Sequence, residues 1–199
     1  MAEHILVTGA GGFIGHHLIK YLTSRGYSVR GVDIKYPEYE ETSADEFYLL
    51  DLRRRDNCLI ATQGIDQVYN LAADMGGIGY ITAYLADIAR NNILINTHML
   101  EASHLNNVQK FFYSSSACIY PSYMQTSADI APLKESDAYP ADPEEGYGWE
   151  KLFSERLYLA AARNKGLEVR IARYHNVYGP IVIPFWCLLR EVPICEMTS

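Results

Sequence analysis

Thr8-Gly9-Ala10-Gly11-Gly12-Phe13-Ile14-Gly15 lies between a short apolar run, His4-Ile5-Leu6-Val7-Thr8, and a stretch from Gly12 to Arg25 whose larger side chains recur near helical spacing. The order reads as strand, turn, helix. Gly9, Gly12 and Gly15 give the spacing G-x-x-G-x-x-G. Without Cβ atoms the backbone can turn tightly and approach a pyrophosphate, whose charge meets the N–H groups and positive end of the following helix. The glycines alone are weak evidence. They gain weight from Asp33, which ends the next strand-like run, Ser28-Val29-Arg30-Gly31-Val32, because strand, glycine turn, helix and acid together form a dinucleotide fingerprint. A carboxylate there accepts hydrogen bonds from adenosine ribose hydroxyls and repels a 2′-phosphate, so NAD is expected rather than NADP. Gly9, Gly12, Phe13, Ile14, Gly15 and Asp33 are the expected cofactor contacts on this side.

Further along, Glu46-Phe47-Tyr48-Leu49-Leu50 reads as a third strand ending on Asp51, and Gln67 to Ala73 as a fourth. Helical segments around Asn92 to His104 and Lys151 to Asn164 alternate with strands Lys110 to Ser114 and Leu167 to Arg173. This alternation predicts an α/β fold, a doubly wound parallel sheet of Rossmann-like type. Asp51 and Leu52 would flank the adenine, with a helix N-cap as the alternative reading of Asp51. The loop between Ser122 and Gly146 is long, rich in Pro, Asp and Glu, and expected to be a functional surface loop.

With 199 residues and 49% hydrophobic content the chain fits one domain with an ample core. A net charge of −7 argues against a nucleic-acid or anionic-membrane surface. The basic run Arg53-Arg54-Arg55 is bracketed by Asp51 and Asp56 and reads as a solvated helix start. The four cysteines lack CxxC spacing, so neither a zinc site nor a disulfide framework is suggested. No apolar run approaches a membrane span and no signal peptide is evident, so a cytoplasmic protein is expected.

Tyr147 and Lys151 stand four apart, share a face if helical, and are two further expected cofactor contacts. A nearby ammonium and an oxidised nicotinamide would both favour the phenolate, letting Tyr147 act as base toward a substrate hydroxyl, and Ser116 could hydrogen-bond the same oxygen. A surface Tyr/Lys pair is the plain alternative.

The glycine turn, Ser114 to Pro121, Tyr147xxxLys151 and Asn176-Val177-Tyr178-Gly179-Pro180 resemble the extended short-chain dehydrogenase/reductases. Within these, Asn70 to Gly79, Ser115 to Pro121, Leu133 to Ala138 and Arg173-Tyr174-His175-Asn176 closely resemble the GDP-mannose 3,5-epimerases, over about Ile5 to Pro180. That resemblance implies a redox-neutral reaction of a GDP-sugar. Bound NAD takes hydride from C4 while Tyr147 takes the hydroxyl proton, the ketone acidifies C3 and C5, and reprotonation precedes return of the hydride. Cys118 matches one acid/base position, and a cationic neighbour would lower its thiol pKa; a small core residue is the alternative. Gly76 and Ser116, Ala117 and Cys118 resemble sugar-contacting positions, and Asn176 a contact to the diphosphate or sugar. Backbone packing or a turn would also explain Gly76 and Asn176. His175 reads as structural.

The chain departs from this pattern after Pro180. The family continues through a segment carrying a second acid/base lysine and then a substrate-binding domain; here Ile181 to Ser199 contains no lysine. An NAD-binding domain over residues 1–180 and a divergent tail over 181–199 are expected, with the C-terminal substrate domain largely absent. Phe185, Trp186 and Leu188 would be apolar residues on a surface the longer family members bury. Two other readings compete with the epimerase: a GDP-4-keto-6-deoxymannose epimerase/reductase, disfavoured by Asp33 because it consumes NADPH, and a catalytically dead NAD-binding module that pairs with a longer enzyme. A homodimer through the helices near Ile93 to Leu105 and Lys151 to Ala162 is expected from the resemblance.

Overall fold

The computed structural model describes residues 3–38, 40–125 and 132–180. Six parallel strands, β1 (His4–Thr8), β2 (Ser28–Asp33), β3 (Glu46–Leu49), β4 (Gln67–Asn70), β5 (Lys110–Ser116) and β6 (Glu168–Tyr174), form one sheet in the order β3-β2-β1-β4-β5-β6. The order reverses between β1 and β4, which opens a crevice beyond their carboxyl ends, where doubly wound sheets bind ligands. The helices are α1 (Phe13–Ser24), α2 (Arg55–Thr62), α3 (Ile78–Ala83), α4 (Leu85–Leu105) and α5 (Tyr147–Lys165).

Side-chain alternation along the strands divides the core between the two faces. Ile5, Val7 and Val29 pack with Ile19 and Leu22 of α1 on one side. Leu6, Val32, Val68 and Phe111 pack with Cys58 of α2, Ile95 and Met99 of α4, and Tyr158 of α5 on the other. Each fully buried aliphatic side chain contributes about 2 kcal/mol relative to exposure. Among the described residues no helix is long and apolar enough to cross a membrane.

The predicted doubly wound sheet is present, with shifted boundaries. β4 stops at Asn70 rather than Ala73, because the N–H groups of Leu71 and Ala72 donate to Thr8 Oγ1, both at 3.1 Å, instead of to a strand neighbour. β5 runs on to Ser116, and α5 starts at Tyr147, so Tyr147 and Lys151 do lie on one helix. The sequence reading did not anticipate α3. The N-cap of α2 is Arg54, which removes the N-cap reading of Asp51. The arginine run is indeed a solvated helix start, with Arg53 paired to Asp51 and Arg55 to Glu101.

Candidate active site

The turn after β1 is shaped by backbone contacts that a side chain would obstruct. Gly9 has φ +68, and a Cβ on Gly15 would lie 2.2 Å from the Gly9 carbonyl oxygen. Gly12 is the N-cap of α1, whose first turn carries no acidic residue and, among the described residues, no side-chain cap. Such a helix end offers N–H groups and a positive dipole to an anion. Asp33 closes the turn: Oδ2 accepts from the Gly11 N–H at 2.9 Å, and Oδ1 accepts from Ile34 and Lys35 at 2.6 and 3.3 Å. A carboxylate keeps further lone pairs for hydroxyl donors. These features fit the pyrophosphate and ribose of an adenine dinucleotide.

Beside this turn lies a cleft of about 530 Å³ whose lining includes Gly9, Gly12, Asp33, Asp51, Leu52 and Tyr80. Five of the expected cofactor contacts therefore share one cleft. Phe13, Ile14 and Gly15 stand outside its lining, in the first turn of α1, where Phe13 packs edge-on to His17, and Tyr147 and Lys151 stand outside it on α5. Asp51 is held by Arg53, whose hydrogen bonds keep its carboxyl below the usual range. Leu52 is both lining and core, at 4% exposure.

The proton-handling groups gather where β5 runs out and α5 begins. Ser116 Oγ accepts from the Cys118 N–H at 3.2 Å, and the same hydroxyl acts on the Tyr147 phenol in the direction that favours its ionised form. Cys118 sits in a 3-10 turn, Ala117–Ile119, and its carbonyl accepts from the Glu144 N–H at 3.0 Å. A Cβ on Gly148 would lie 2.3 Å from that carbonyl oxygen, so only glycine lets the turn rest on α5. Lys151 is buried, donates to the Ser114 carbonyl at 2.9 Å, and places Nζ 4.9 and 5.5 Å from the ring centroids of Tyr113 and Tyr147. The predicted quartet Ser116, Cys118, Tyr147 and Lys151 is thus brought together.

Its electrostatics differ from the sequence expectation. Burial raises the Cys118 thiol to about 11, with the Glu144 carboxylate acting in the same direction and the Ser116 hydrogen bond against it; the thiol is not lowered. Burial, reinforced by the Glu150 charge, also raises the Tyr147 phenol well above its ordinary value, although the Ser116 hydrogen bond opposes this. Burial lowers Lys151, and the Glu150 charge works to keep it protonated. In the chain by itself the phenol and the thiol are therefore held as proton donors.

The remaining predicted residues are more loosely placed. Gly76 lies under the Tyr80 ring, where a Cβ would come within 2.7 Å of a ring carbon, as backbone packing requires. Ala117 opens the Cys118 turn. Asn176 is exposed beyond β6. His175 is also exposed, with its ring 6.4 Å from that of Tyr120. The expectations on Phe185, Trp186 and Leu188 fall outside the described residues. Among the described residues no group of His, Cys, Asp and Glu could hold a metal ion.

Sequence reasoning missed a buried polar network behind the quartet. Thr8 Oγ1 donates to Asn70 Oδ1 at 2.9 Å, and Asn70 Nδ2 donates to Asn96 Oδ1 at 3.0 Å and to the Tyr158 hydroxyl at 3.2 Å. Asn92 Nδ2 donates to Glu150 Oε1 at 3.0 Å and to the Asp74 carbonyl at 3.1 Å, while its Oδ1 accepts from the Asp74 N–H at 2.6 Å. The available signal was the i, i+4 pair Asn92 and Asn96 on the inward face of a long helix.

A family model described as the NAD dependent epimerase/dehydratase family matches residues 5–184. GDP-mannose 3,5-epimerase 1 of Oryza sativa subsp. japonica is 49% identical over 178 residues, covering 88% of this chain and 47% of that protein. GDP-mannose 3,5-epimerase of Arabidopsis thaliana is 48% identical over 178 residues, with the same two shares. The crystal structure of Thermus thermophilus UDP-glucose 4-epimerase in complex with NAD superposes with a TM-score of 0.79 at 26% identity, covering 91% of this chain and 58% of that one. The chain spans about half the length of the curated relatives it matches.

Proposed function

Because the chain belongs to the NAD dependent epimerase/dehydratase family, we propose that it carries the NAD cleft and the first acid/base group of a GDP-mannose 3,5-epimerase. Such an enzyme forms GDP-L-galactose through a transient 4-keto sugar. The observation that carries this reading is the placing of Ser116, Cys118 and Tyr147 together where β5 ends and α5 begins, with Gly148 seating the cysteine turn on α5. The identity to relatives of that name supports the choice of substrate.

When bound, NAD supplies a hydride acceptor and donor for one sugar carbon. The glycine turn holds the pyrophosphate, and Asp33 holds the adenosine ribose and disfavours a 2′-phosphate. Asp51 and Leu52 flank the adenine. Tyr147 exchanges a proton with the sugar hydroxyl and Ser116 positions the same oxygen. The charge of Lys151 favours the phenolate against burial. The Cys118 thiol, held protonated by its surroundings, delivers a proton to the carbon beside the carbonyl, and its thiolate takes one in the reverse direction. Gly76, Ala117 and Asn176 are sugar or diphosphate contacts in this reading. Exposed Trp149, Phe153 and Leu159 on α5 support a homodimer through α4 and α5.

A second reading has its own observation: burial holds the Cys118 thiol protonated, which leaves it a poor base in this chain. The chain would then be an NAD-binding module that pairs with a longer enzyme. The reductase alternative is disfavoured by Asp33 and is separated by comparing NAD with NADPH affinity. The deciding experiment incubates the chain with NAD and GDP-mannose in deuterated water. Exchange of the C3 or C5 proton, lost in Cys118→Ala with NAD binding retained, supports the epimerase. Bound NAD with no exchange favours the module, and exchange undiminished in Cys118→Ala overturns the role of the thiol.

A further inference from the structure

Glu150 has no part in the proton transfers above, yet its side chain is buried. Glu150 and its neighbour Lys151 are each 2% exposed. Among the described residues the Lys151 ammonium makes one hydrogen bond, to the Ser114 carbonyl, with the faces of Tyr113 and Tyr147 about it. A buried cation so sparsely bonded needs an opposite charge. Glu155 is the other buried carboxylate of α5, but both its oxygens are taken by Arg173, at 3.0 and 2.9 Å.

We propose that Glu150 is a positioning residue, whose carboxylate is the buried counter-charge that keeps Lys151 an ammonium beside Tyr147. The carboxylate is fixed from α4, where Asn92 Nδ2 donates to Oε1 at 3.0 Å and Asn96 Nδ2 to Oε2 at 3.4 Å. β5 presents Tyr113 and the Ser114 carbonyl, the turn after β5 presents Cys118, and α5 itself presents Tyr147, Lys151, Ser154, Glu155 and Tyr158. Of these, Lys151 alone carries positive charge. Burial raises the Glu150 carboxyl to about 7, with Lys151, Asn92, Asn96 and Ser154 all opposing the rise. Removing Lys151 therefore raises it further, and removing Glu150 lets Lys151 lose its proton at lower pH. The asparagines explain why the carboxylate cannot turn outward: Asn92 is itself clamped to both backbone groups of Asp74.

The link from Lys151 to Tyr147 rests on the proposed function, whereas the coupling of the two buried charges, which lie beyond ion-pair contact, is testable without any cofactor. Thermal melting of the whole chain is compared for the wild type, Glu150→Gln, Lys151→Met and the double variant at pH 5.5 and pH 8.5. Lys151→Met is expected to lose several degrees more at pH 8.5 than at pH 5.5. At pH 8.5, Glu150→Gln should raise the melting temperature of the Lys151→Met protein more than that of the wild type. Failure of Lys151→Met to fold at pH 8.5, with recovery in the double variant, is the extreme form of that result. Equal effects of Glu150→Gln in both backgrounds, losses independent of pH, or a double variant that also fails to fold overturn the pairing. NAD affinity supplies the second readout: Glu150→Gln should bind about tenfold more weakly at pH 8.5 and near the wild-type value at pH 6. Coupled melting with unchanged affinity refutes the positioning role. Coupled melting in a wild type that binds no NAD leaves the pair standing and refutes the functional reading.

Discussion

Lys151 Nζ donates to the Ser114 carbonyl across 2.9 Å, which fastens α5 to β5 just before the strand delivers Ser116. A helix that carries the phenol and the amine is thereby registered to the strand that carries the serine and the cysteine turn. The four groups keep their spacing because the sheet and α5 share this buried bond, and a buried bond to a charged donor is among the stronger ones.

Replacing Gly15 with Ala tests the cradle. The new Cβ would meet the Gly9 carbonyl oxygen at 2.2 Å, so either α1 or the turn must shift. The expected outcome is a stability loss of about 1–3 kcal/mol in urea unfolding, the range for overpacking, with NAD binding lost in calorimetric titration.

Asp33→Asn keeps an acceptor for the Gly11 N–H but removes the charge assigned to the ribose in the proposed function. NAD affinity is expected to fall about tenfold and the preference over NADP to narrow. Titration of both nucleotides checks it, and an unchanged ratio argues against the assignment.

The Cys118 thiol has its pKa pushed up to about 11, chiefly by burial. Alkylation by iodoacetamide, followed on the Cys118 peptide by mass spectrometry, should be slow near pH 8 and climb toward pH 11, because the thiolate is the nucleophile. A profile centred near 8.5 would contradict the description of this site.

Glu150 is raised from its unfolded value to about 7 by burial. The native state therefore holds more protons than the unfolded chain between about pH 4.5 and 7, and stability falls as pH rises through that window. The shift corresponds to a loss of about 3 kcal/mol once the carboxyl is fully ionised. Urea unfolding across pH 4.5 to 8 measures it, and the Glu150→Gln chain should show a flatter profile.

Arg173→Met would leave Glu155, only 2% exposed, without the guanidinium that grips both its oxygens, and would also release the Tyr120 hydroxyl and the Glu135 carbonyl. Stranding a buried carboxylate costs about 3 kcal/mol or more. Arg173→Lys should recover only part of this, since an ammonium lacks the two-pronged geometry. Urea midpoints of the two variants decide.

Much of this arrangement was legible in the sequence, and for physical reasons. Strand runs such as Ile5-Leu6-Val7 are buried on both faces and read as continuous apolar stretches, and glycine turns permit few structures. Tyr147 and Lys151 announce themselves because helical spacing aligns them. Glu150, Asn92 and Asn96 stayed hidden because a polar residue is read as surface unless its partner is known, and their partners lie 54 and 58 positions apart in the chain. β4 ended early for a comparable reason, since the Thr8 hydroxyl that captures its outgoing N–H groups comes from another strand. The direction of the Cys118 shift depends on how deeply the turn is seated, which residue identity does not reveal.

Position 148 shows how tightly chemistry and architecture are joined in this chain. With the cysteine turn resting directly on the α-carbon there, thiol and phenol belong to one casting whose dimension is set by a missing methyl group. Trp149 beside it is half exposed, but even alanine at 148 would prise the two proton donors apart before any ligand arrived.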